Sequence, residues 1–98
     1  MVKIKFNNAR YITSGISSEV DISLQLFMWQ CISRMKVPKD YLQIFKCSNF
    51  EGQQEIEHIQ EEPEYKKRYL LKADAFFIGK IYVIDNGQYT VMMLAEEY

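Results

Sequence analysis

The sequence predicts an α+β fold, in which one main helix at about residues 21–36 packs on a mostly antiparallel sheet of about five strands. Three observations predict it. The stretch ISLQLFMWQCI at residues 22–32 is almost wholly apolar and long enough for a helix. After Pro38 the pattern changes to partial alternation of apolar and polar residues, which is typical of strands. Asn86-Gly87 lies between two apolar runs, and this dipeptide is the strongest short signal for a β-hairpin.

Length and composition fit one small domain at residues 1–98. The chain has 98 residues, of which 48% are hydrophobic and 26% are charged, close to the average for a folded domain. The net charge of -1 provides no large basic field for binding phosphates. Apolar runs are far shorter than the roughly 20 residues of a membrane span, and no secretory leader is recognisable. We therefore expect a cytoplasmic protein that contacts no membrane and keeps Cys31 and Cys47 as reduced thiols.

The bounds of the helix follow from capping residues and a proline. A short extended segment at residues 10–13 ends at Ser14-Gly15. Either Ser18 or Asp21 can cap the helix that follows, and the sequence leaves both open. We place the end of the helix shortly before Pro38, because proline cannot continue a helix.

Five strand candidates follow the helix. The segments DYLQIFKCSNF and EIEHIQ flank a turn at Gly52, and KKRYLLKA begins after Pro63. GKIYVID and QYTVMML flank Asn86-Gly87. Since short turns join these segments, neighbouring strands are expected to run antiparallel.

The helix has more apolar surface than one sheet face covers. At about 100° per residue, a broad arc faces the sheet and contains Leu24, Phe27, Met28, Cys31, Ile32 and Met35. Ile22, Leu26 and Trp29 form a second, narrower stripe. The N-terminal segment, strand ends or the Pro63 loop can cover this stripe; alternatively it contacts another protein or a second copy, or lines a small-ligand groove. We take the stripe as the candidate interface, with Trp29 as its anchor, because Trp is enriched at interface hot spots.

Few residues have the spacing that catalysis or metal binding needs. His58 is the sole histidine and neither cysteine is in a CxxC pair, so we predict no metal site. Cys47 and His58 could meet across the first hairpin, but half-buried cysteines usually act as small hydrophobic residues. The four glycines form no phosphate-binding loop, so we predict no cofactor and no enzymatic activity. A cluster of glutamates fits a solvated hairpin, with an acidic docking face as the alternative: Glu51, Glu55, Glu57, Glu61, Glu62 and Glu64.

The strand candidate at about residues 65–72 indicates a different function. Lys66, Lys67, Arg68 and Tyr69 could contact single-stranded nucleic acid by charge and by base stacking. Tyrosine is also a common strand residue, and the chain has no RNA-recognition motif. We therefore predict a non-enzymatic protein-interaction module, binding a protein partner or itself, with a small nucleic-acid-binding protein as the alternative.

Several phrases resemble a family of short proteins from Firmicutes, of the staphylococcal type, that is known only as a domain of unknown function. The phrases are LQLFMWQ, DYLQIFK, PEYKKRY and the ending KIYVIDNGQYTVMMLAEEY, whose last letters LAEEY are among the most specific. The resemblance extends from about Tyr11 to Tyr98. It implies a cytoplasmic setting in a Gram-positive bacterium and provides no activity and no site residues.

Overall fold

The fold is built on one sheet of six strands. The computed structural model describes residues 5–73 and 75–98. The strands follow one another in space as β1-β6-β5-β2-β3-β4: β1 (Ala9–Ile12), β2 (Leu42–Phe50), β3 (Gln53–Gln60), β4 (Tyr65–Leu71), β5 (Gly79–Asp85) and β6 (Tyr89–Leu94). The α+β class is confirmed, and the five predicted strands are β2 to β6.

The predicted number of strands was one too low, and one pairing is parallel. The segment around residues 10–13 joins the sheet as β1, which runs parallel to β6 with Tyr11 opposite Val91. All other pairings are antiparallel. The sheet is therefore mostly antiparallel, as predicted, with a parallel strand added at one edge.

The main helix α2 is shorter than predicted and spans Ile22–Ser33. Asp21 is its cap, because a carboxylate oxygen of Asp21 accepts a hydrogen bond from the backbone N–H of Ser23 at 3.1 Å. The predicted extension to residue 36 was wrong. The N–H of Met35 donates to the carbonyl of Ile32, three residues earlier, and this tighter turn ends the helix before Pro38.

A second helix, α1 at Ser14–Glu19, was not predicted. Thr13 caps it, with its hydroxyl oxygen 3.3 Å from the N–H of Ile16. The same hydroxyl donates to the Glu97 carboxylate at 2.6 Å, in the 3-10 turn Ala95–Glu97. Ile16 is fully buried. This short helix therefore depends on a buried side chain and on a contact with the far end of the chain. Among the described residues, no helix is long and apolar enough to cross a membrane.

Turns with glycine join the strands where the sequence predicted hairpins. Gly52 has φ of 82° between β2 and β3, and Gly87 has φ of 99° between β5 and β6. Glycine adopts such positive angles without steric cost. The Asn86 side chain accepts hydrogen bonds from the N–H groups of Gln88 and Tyr89, both at 3.0 Å. Both predicted hairpins are confirmed.

The hydrophobic core lies between one face of the sheet and the two helices. Successive strand residues alternate in direction, and the inward ones include Phe45, Ile56, Ile81, Val83 and Met92, all fully buried. They pack in one cluster with the part of the predicted sheet-facing arc that lies in α2, where only Phe27 is partly exposed; Met35 is buried after the end of the helix. All helical core residues thus lie on one side of the sheet.

Candidate interaction surface

The predicted stripe on α2 does not form one exposed surface. Ile22 and Leu26 are 62% and 55% exposed, whereas Trp29 is only 8% exposed and belongs to the core. The guanidinium carbon of Arg10 lies 4.9 Å from the centroid of the Trp29 ring, and Arg10 also donates to Ser33 Oγ at 3.4 Å. Strand β1 thus covers the indole, and only the neighbouring side chains of Ile22 and Leu26 remain exposed in the stripe.

The predicted basic strand is β4, and its side chains divide between the two faces of the sheet. Lys66 and Arg68 point away from the helices and form ion pairs: Lys66 Nζ lies 3.2 Å from Glu57, and Arg68 contacts Glu55. Lys67 and Tyr69 alternate with them on the other face, where the ring of Tyr69 packs edge-to-face on Phe27. The four residues therefore do not form one contact surface, and two of their three positive charges are paired.

The sheet face away from the helices has two apolar rows that cross the strands. The first row runs through Ile59, Ile44, Tyr82 and Met93, which are direct cross-strand partners. The second runs through Leu42, Ile84, Val91 and Tyr11. Each of these eight side chains is at least partly exposed, whereas the residues that alternate with them within β2, β3, β5 and β6 are buried on the other face. We call these two rows the open face.

Tyrosines extend the open face at its margins. The ring of Tyr89 packs edge-to-face on Tyr11, with centroids 5.4 Å apart. Tyr98 packs in the same way on Tyr82 at 5.5 Å. Tyr89 and Tyr98 are both exposed. Tyrosine side chains combine a large apolar ring with a polar hydroxyl, which suits the border between an apolar contact and water.

A row of charged residues borders the apolar rows at one end. Arg68, Glu57, Lys46 and Lys80 are successive cross-strand neighbours on this face. Lys46 lies directly opposite Lys80, and like charges in this position destabilise a sheet. Glu57 lies directly opposite Lys46 on the other side, but neither of these exposed lysines forms an ion pair within the described part of the chain.

The helix-facing side of the sheet contains a buried chain of polar side chains. Nε2 of His58 lies 2.7 Å from Oε1 of Gln43, and Nε2 of Gln43 donates to Oε1 of Gln60 at 2.6 Å. Gln60 then donates to the carbonyls of Pro38 and Pro63. His58 is 0% exposed and stacks on Phe45 with ring centroids 4.4 Å apart. This network joins the loops that precede β2 and follow β3 to the sheet.

The surroundings of His58 and of both cysteines hold them in unreactive forms. Burial lowers the pKa of His58 to about 4, so the ring is neutral at pH 7. Burial raises the pKa of Cys47 to about 12, and it also raises the pKa of Cys31. A nucleophilic cysteine needs the opposite shift. In residues 5–73 and 75–98, no group of three potential metal ligands comes together.

A groove of about 400 Å³ lies beside the start of α2. Ser23 and Lys72 are among its polar lining residues, and two others are used for structure: Asp21 caps the helix, and the amide of Gln54 bonds the backbone of Phe77 through both its oxygen and its nitrogen. These two polar groups are therefore already satisfied within the fold and do not select a ligand.

A family model of staphylococcal proteins of unknown function, DUF960, matches residues 9–97. The chain belongs to this family. The resemblance found in the sequence is thereby confirmed. The family description names no activity, and none of the curated proteins matches the chain.

A solved structure supports the fold of this DUF960 member. It is the crystal structure of a protein of unknown function from Enterococcus faecalis, with a TM-score of 0.84 and 21% sequence identity. The match covers 100% of this chain and 98% of the other. At this identity the similarity establishes the fold alone.

The open face was not predicted, although the sequence contains a signal for it. IYVI in β5 and YTVMML in β6 are nearly continuous apolar runs. A strand with water on one side is expected to alternate apolar and polar residues. Continuous runs place apolar side chains on both faces of a strand, so these two segments indicate a second apolar sheet face by their residue pattern alone.

Proposed function

We propose that this DUF960 member is a non-enzymatic interaction module that binds protein through the open face of its sheet. The observation that carries the proposal is the pair of apolar rows across β1, β2, β3, β5 and β6, left partly exposed on the side away from the helices. Large contiguous apolar patches on a protein surface commonly mark interaction sites. The two unpaired cysteines support a cytoplasmic setting.

The chemistry of the remaining residues supports binding rather than catalysis. His58 is buried and neutral, and the thiol pKa values favour the protonated form. The polar network around Gln43 is saturated by backbone and amide partners apart from Nδ1 of His58. A general acid or base must reach its substrate, and the one histidine does not reach solvent.

A matched pair of variants tests this proposal. Tyr82→Glu places a charge in the centre of the open face, and Ile22→Glu places the same charge on the outer side of α2. We expect protein partners captured from the native extract to be lost with Tyr82→Glu and kept with Ile22→Glu. Far-UV circular dichroism and thermal unfolding confirm that both variants fold. Equal capture by both variants would contradict the proposal.

A second candidate function is binding of single-stranded nucleic acid on the same sheet. Lys46 and Lys80 lie next to Tyr82 in the register of β2 and β5, and aromatic side chains flanked by cations can stack bases on a sheet. The net charge of -1 and the paired state of Lys66 and Arg68 favour a protein partner instead. Fluorescence anisotropy with a labelled oligonucleotide at low salt tests this candidate, and a flat titration would exclude it.

A further inference from the structure

We propose that an extended, partly acidic segment of another protein binds along the outer edge of β4 and adds a seventh strand to the sheet. This inference goes beyond the proposed function, because it concerns an edge of the sheet and not its open face. It is carried by the unpaired backbone of β4, by two cations on the helix side of that strand, and by an apolar groove next to them.

One side of the β4 backbone has no partner. The seven residues of β4 pair in unbroken register with β3, and β4 is the last strand of the sheet. In the described part of the chain, no other strand, loop or side chain bonds the N–H and C=O groups on its outer side. Such a row of groups is a template for a further strand, and peptides that bind by strand addition use it.

The charge of β4 decides which kind of strand can use this edge. Lys66, Lys67 and Arg68 are consecutive, and all three are exposed. Cations on an edge strand repel other basic strands, which is one way in which proteins prevent edge-to-edge pairing. Two copies of β4 side by side would bring these cations together, so the edge disfavours self-association. A segment with carboxylates is attracted by the same charges.

The cations without an ion pair lie on the helix side of β4. On the opposite side, Lys66 and Arg68 are paired with glutamates of β3. Lys67 and Arg34, which follows α2, both interact electrostatically with the thiol of Cys31, so the two cations share the helix side. Neither forms an ion pair among the described residues. A carboxylate of the added strand would supply the missing partner.

The acidic residues near β4 limit where the partner can be acidic. Opposite the helix-side residues of β4, β3 has only uncharged side chains at pH 7: Gln60, His58, Ile56 and Gln54. The turn before β4 contains three exposed glutamates: Glu61, Glu62 and Glu64. Glu64 is roughly 10 Å from Lys67 along an extended chain. The carboxylates of the partner therefore belong opposite the middle of β4 and not opposite Tyr65, where these glutamates would repel them.

An apolar groove lies near the other end of β4. Leu71 and Phe27 line the groove of about 400 Å³ beside the start of α2. Leu71 has the same direction as Lys67, because strand residues alternate between the two faces. Antiparallel pairing is slightly more stable than parallel pairing, and an antiparallel segment meets Leu71 before Lys67. We therefore expect the partner to have an apolar residue followed, four residues later, by an acidic one.

A labelled synthetic peptide with the length of β4, seven residues, tests strand addition. It has valine at the first two positions, glutamate at the fourth to sixth, and threonine elsewhere. Fluorescence anisotropy at low salt should show saturable binding to the full chain, and a flat titration would overturn the inference.

Two further versions of the peptide are methylated at either the odd or the even backbone nitrogens. They have the same charge, but only one of them keeps the N–H groups that face the edge. That version should bind at least about tenfold more tightly than the other. Equal binding of the two versions would overturn strand addition.

Charge reversal in the chain tests the position of the peptide. Lys67→Glu with Arg34→Glu should weaken binding at least about tenfold. Lys5→Glu with Lys39→Glu is the matched control, because these lysines line a groove with Arg10 of β1, at the other edge of the sheet. Circular dichroism confirms that both double variants fold. Equal losses in the two would show that net charge alone attracts the peptide, and would overturn the inference.

Hydrogen exchange tests the position without any substitution. In the unchanged chain, the bound peptide should slow exchange of the β4 amides. Slower exchange in β5 and β6 instead would place the peptide elsewhere and overturn the inference.

Tyr82→Glu separates this site from the proposed function. Tyr82 lies in β5, so the peptide should bind this variant as tightly as the unchanged chain. Loss of peptide binding in this variant would overturn the edge site and assign the peptide to the open face. Peptide binding at β4, with capture of other proteins unaffected by Tyr82→Glu, would support the edge site and contradict the proposed function alone. A single-stranded oligonucleotide that displaces the peptide and binds at least about tenfold more tightly would assign these cations to phosphates and overturn the inference.

Discussion

At the scale of single residues, the environment of His58 determines its protonation state. Oε1 of Gln43 is a hydrogen-bond acceptor, because Nε2 of Gln43 donates to Gln60 and to the Asp40 carbonyl. His58 must therefore donate from Nε2. Nδ1 is then the unprotonated nitrogen, and it has no hydrogen-bond partner within the described residues. Adding a proton there would bury an unpaired positive charge.

This environment predicts a specific loss of stability in mild acid. The pKa of His58 is about 4 in the folded protein and about 6.5 in an unfolded chain. The unfolded state therefore binds the proton first. Stability is complete above about pH 6.5 and falls by up to about 1.4 kcal/mol per pH unit as the pH is lowered towards 4. Urea unfolding at pH 7, 6 and 5 measures this slope, and His58→Gln should flatten it.

The carboxylates with a lowered pKa change their contribution to stability below the pH range of this measurement. Hydrogen bonds from Ser23, Arg68 and Thr13 lower the pKa of Asp21, Glu55 and Glu97, respectively. Their contributions to stability are present above the unfolded carboxyl pKa of about 4 and are lost only below it. Since His58 is the sole histidine, an undiminished slope between pH 5 and 6.5 in the His58→Gln variant would show that His58 is not its cause.

The contact between Arg10 and Trp29 predicts how the one tryptophan responds to quenchers. Trp29 fluorescence should be poorly quenched by acrylamide, because the indole is 8% exposed. Arg10→Ala removes the cation over the ring, which we expect to cost about 1 kcal/mol and to increase quenching. Leu26→Ala, at an exposed position of the same helix, is the matched control. It should change neither the free energy of unfolding nor the quenching of Trp29. Strong quenching in the unchanged chain would place the indole in an open stripe.

At the scale of elements, Gln54 holds an irregular segment against the sheet. Oε1 of this fully buried side chain accepts from the N–H of Phe77 at 2.8 Å, and Nε2 donates to the carbonyls of Phe77 and Ser48, both at 3.0 Å. Gln54→Met preserves much of the volume but leaves these backbone groups unpaired. We expect a loss of about 1–3 kcal/mol in the free energy of unfolding and faster hydrogen exchange at Phe77. Gln53→Met, a partly exposed neighbour, should leave exchange at Phe77 unchanged.

The elements that were predicted correctly are those with local determinants. The core-facing arc of α2 follows from helical periodicity, and the turns at Gly52 and Gly87 follow from residues that tolerate positive φ. The missed elements depend on distant partners. The four residues of β1 form a strand only because they pair with β6. Helix α1 is capped by Thr13, whose hydroxyl also contacts Glu97 near the other end of the chain. Trp29 is covered by Arg10, whose position depends on that same pairing.

At the scale of the whole molecule, the two sheet faces differ in how far their side chains are buried. The inner face has an apolar core together with a polar network around His58, and most of its side chains are buried. The outer face also has apolar side chains, yet they retain access to water. A single layer of helices on a six-stranded sheet covers one face and leaves the apolar rows of the other face partly exposed.

This difference in burial predicts that a Val→Thr substitution costs more stability on the inner face than on the open face. Val83→Thr puts a hydroxyl into the core, where Val83 is 0% exposed, and should cost about 1–3 kcal/mol. Val91→Thr makes the same change on the partly exposed open face and should cost less than about 0.5 kcal/mol. Chemical unfolding at low micromolar concentration compares the two variants directly. Equal costs would mean that the same chain buries Val91 as completely as Val83, and the proposed interaction module would then lose its contact surface.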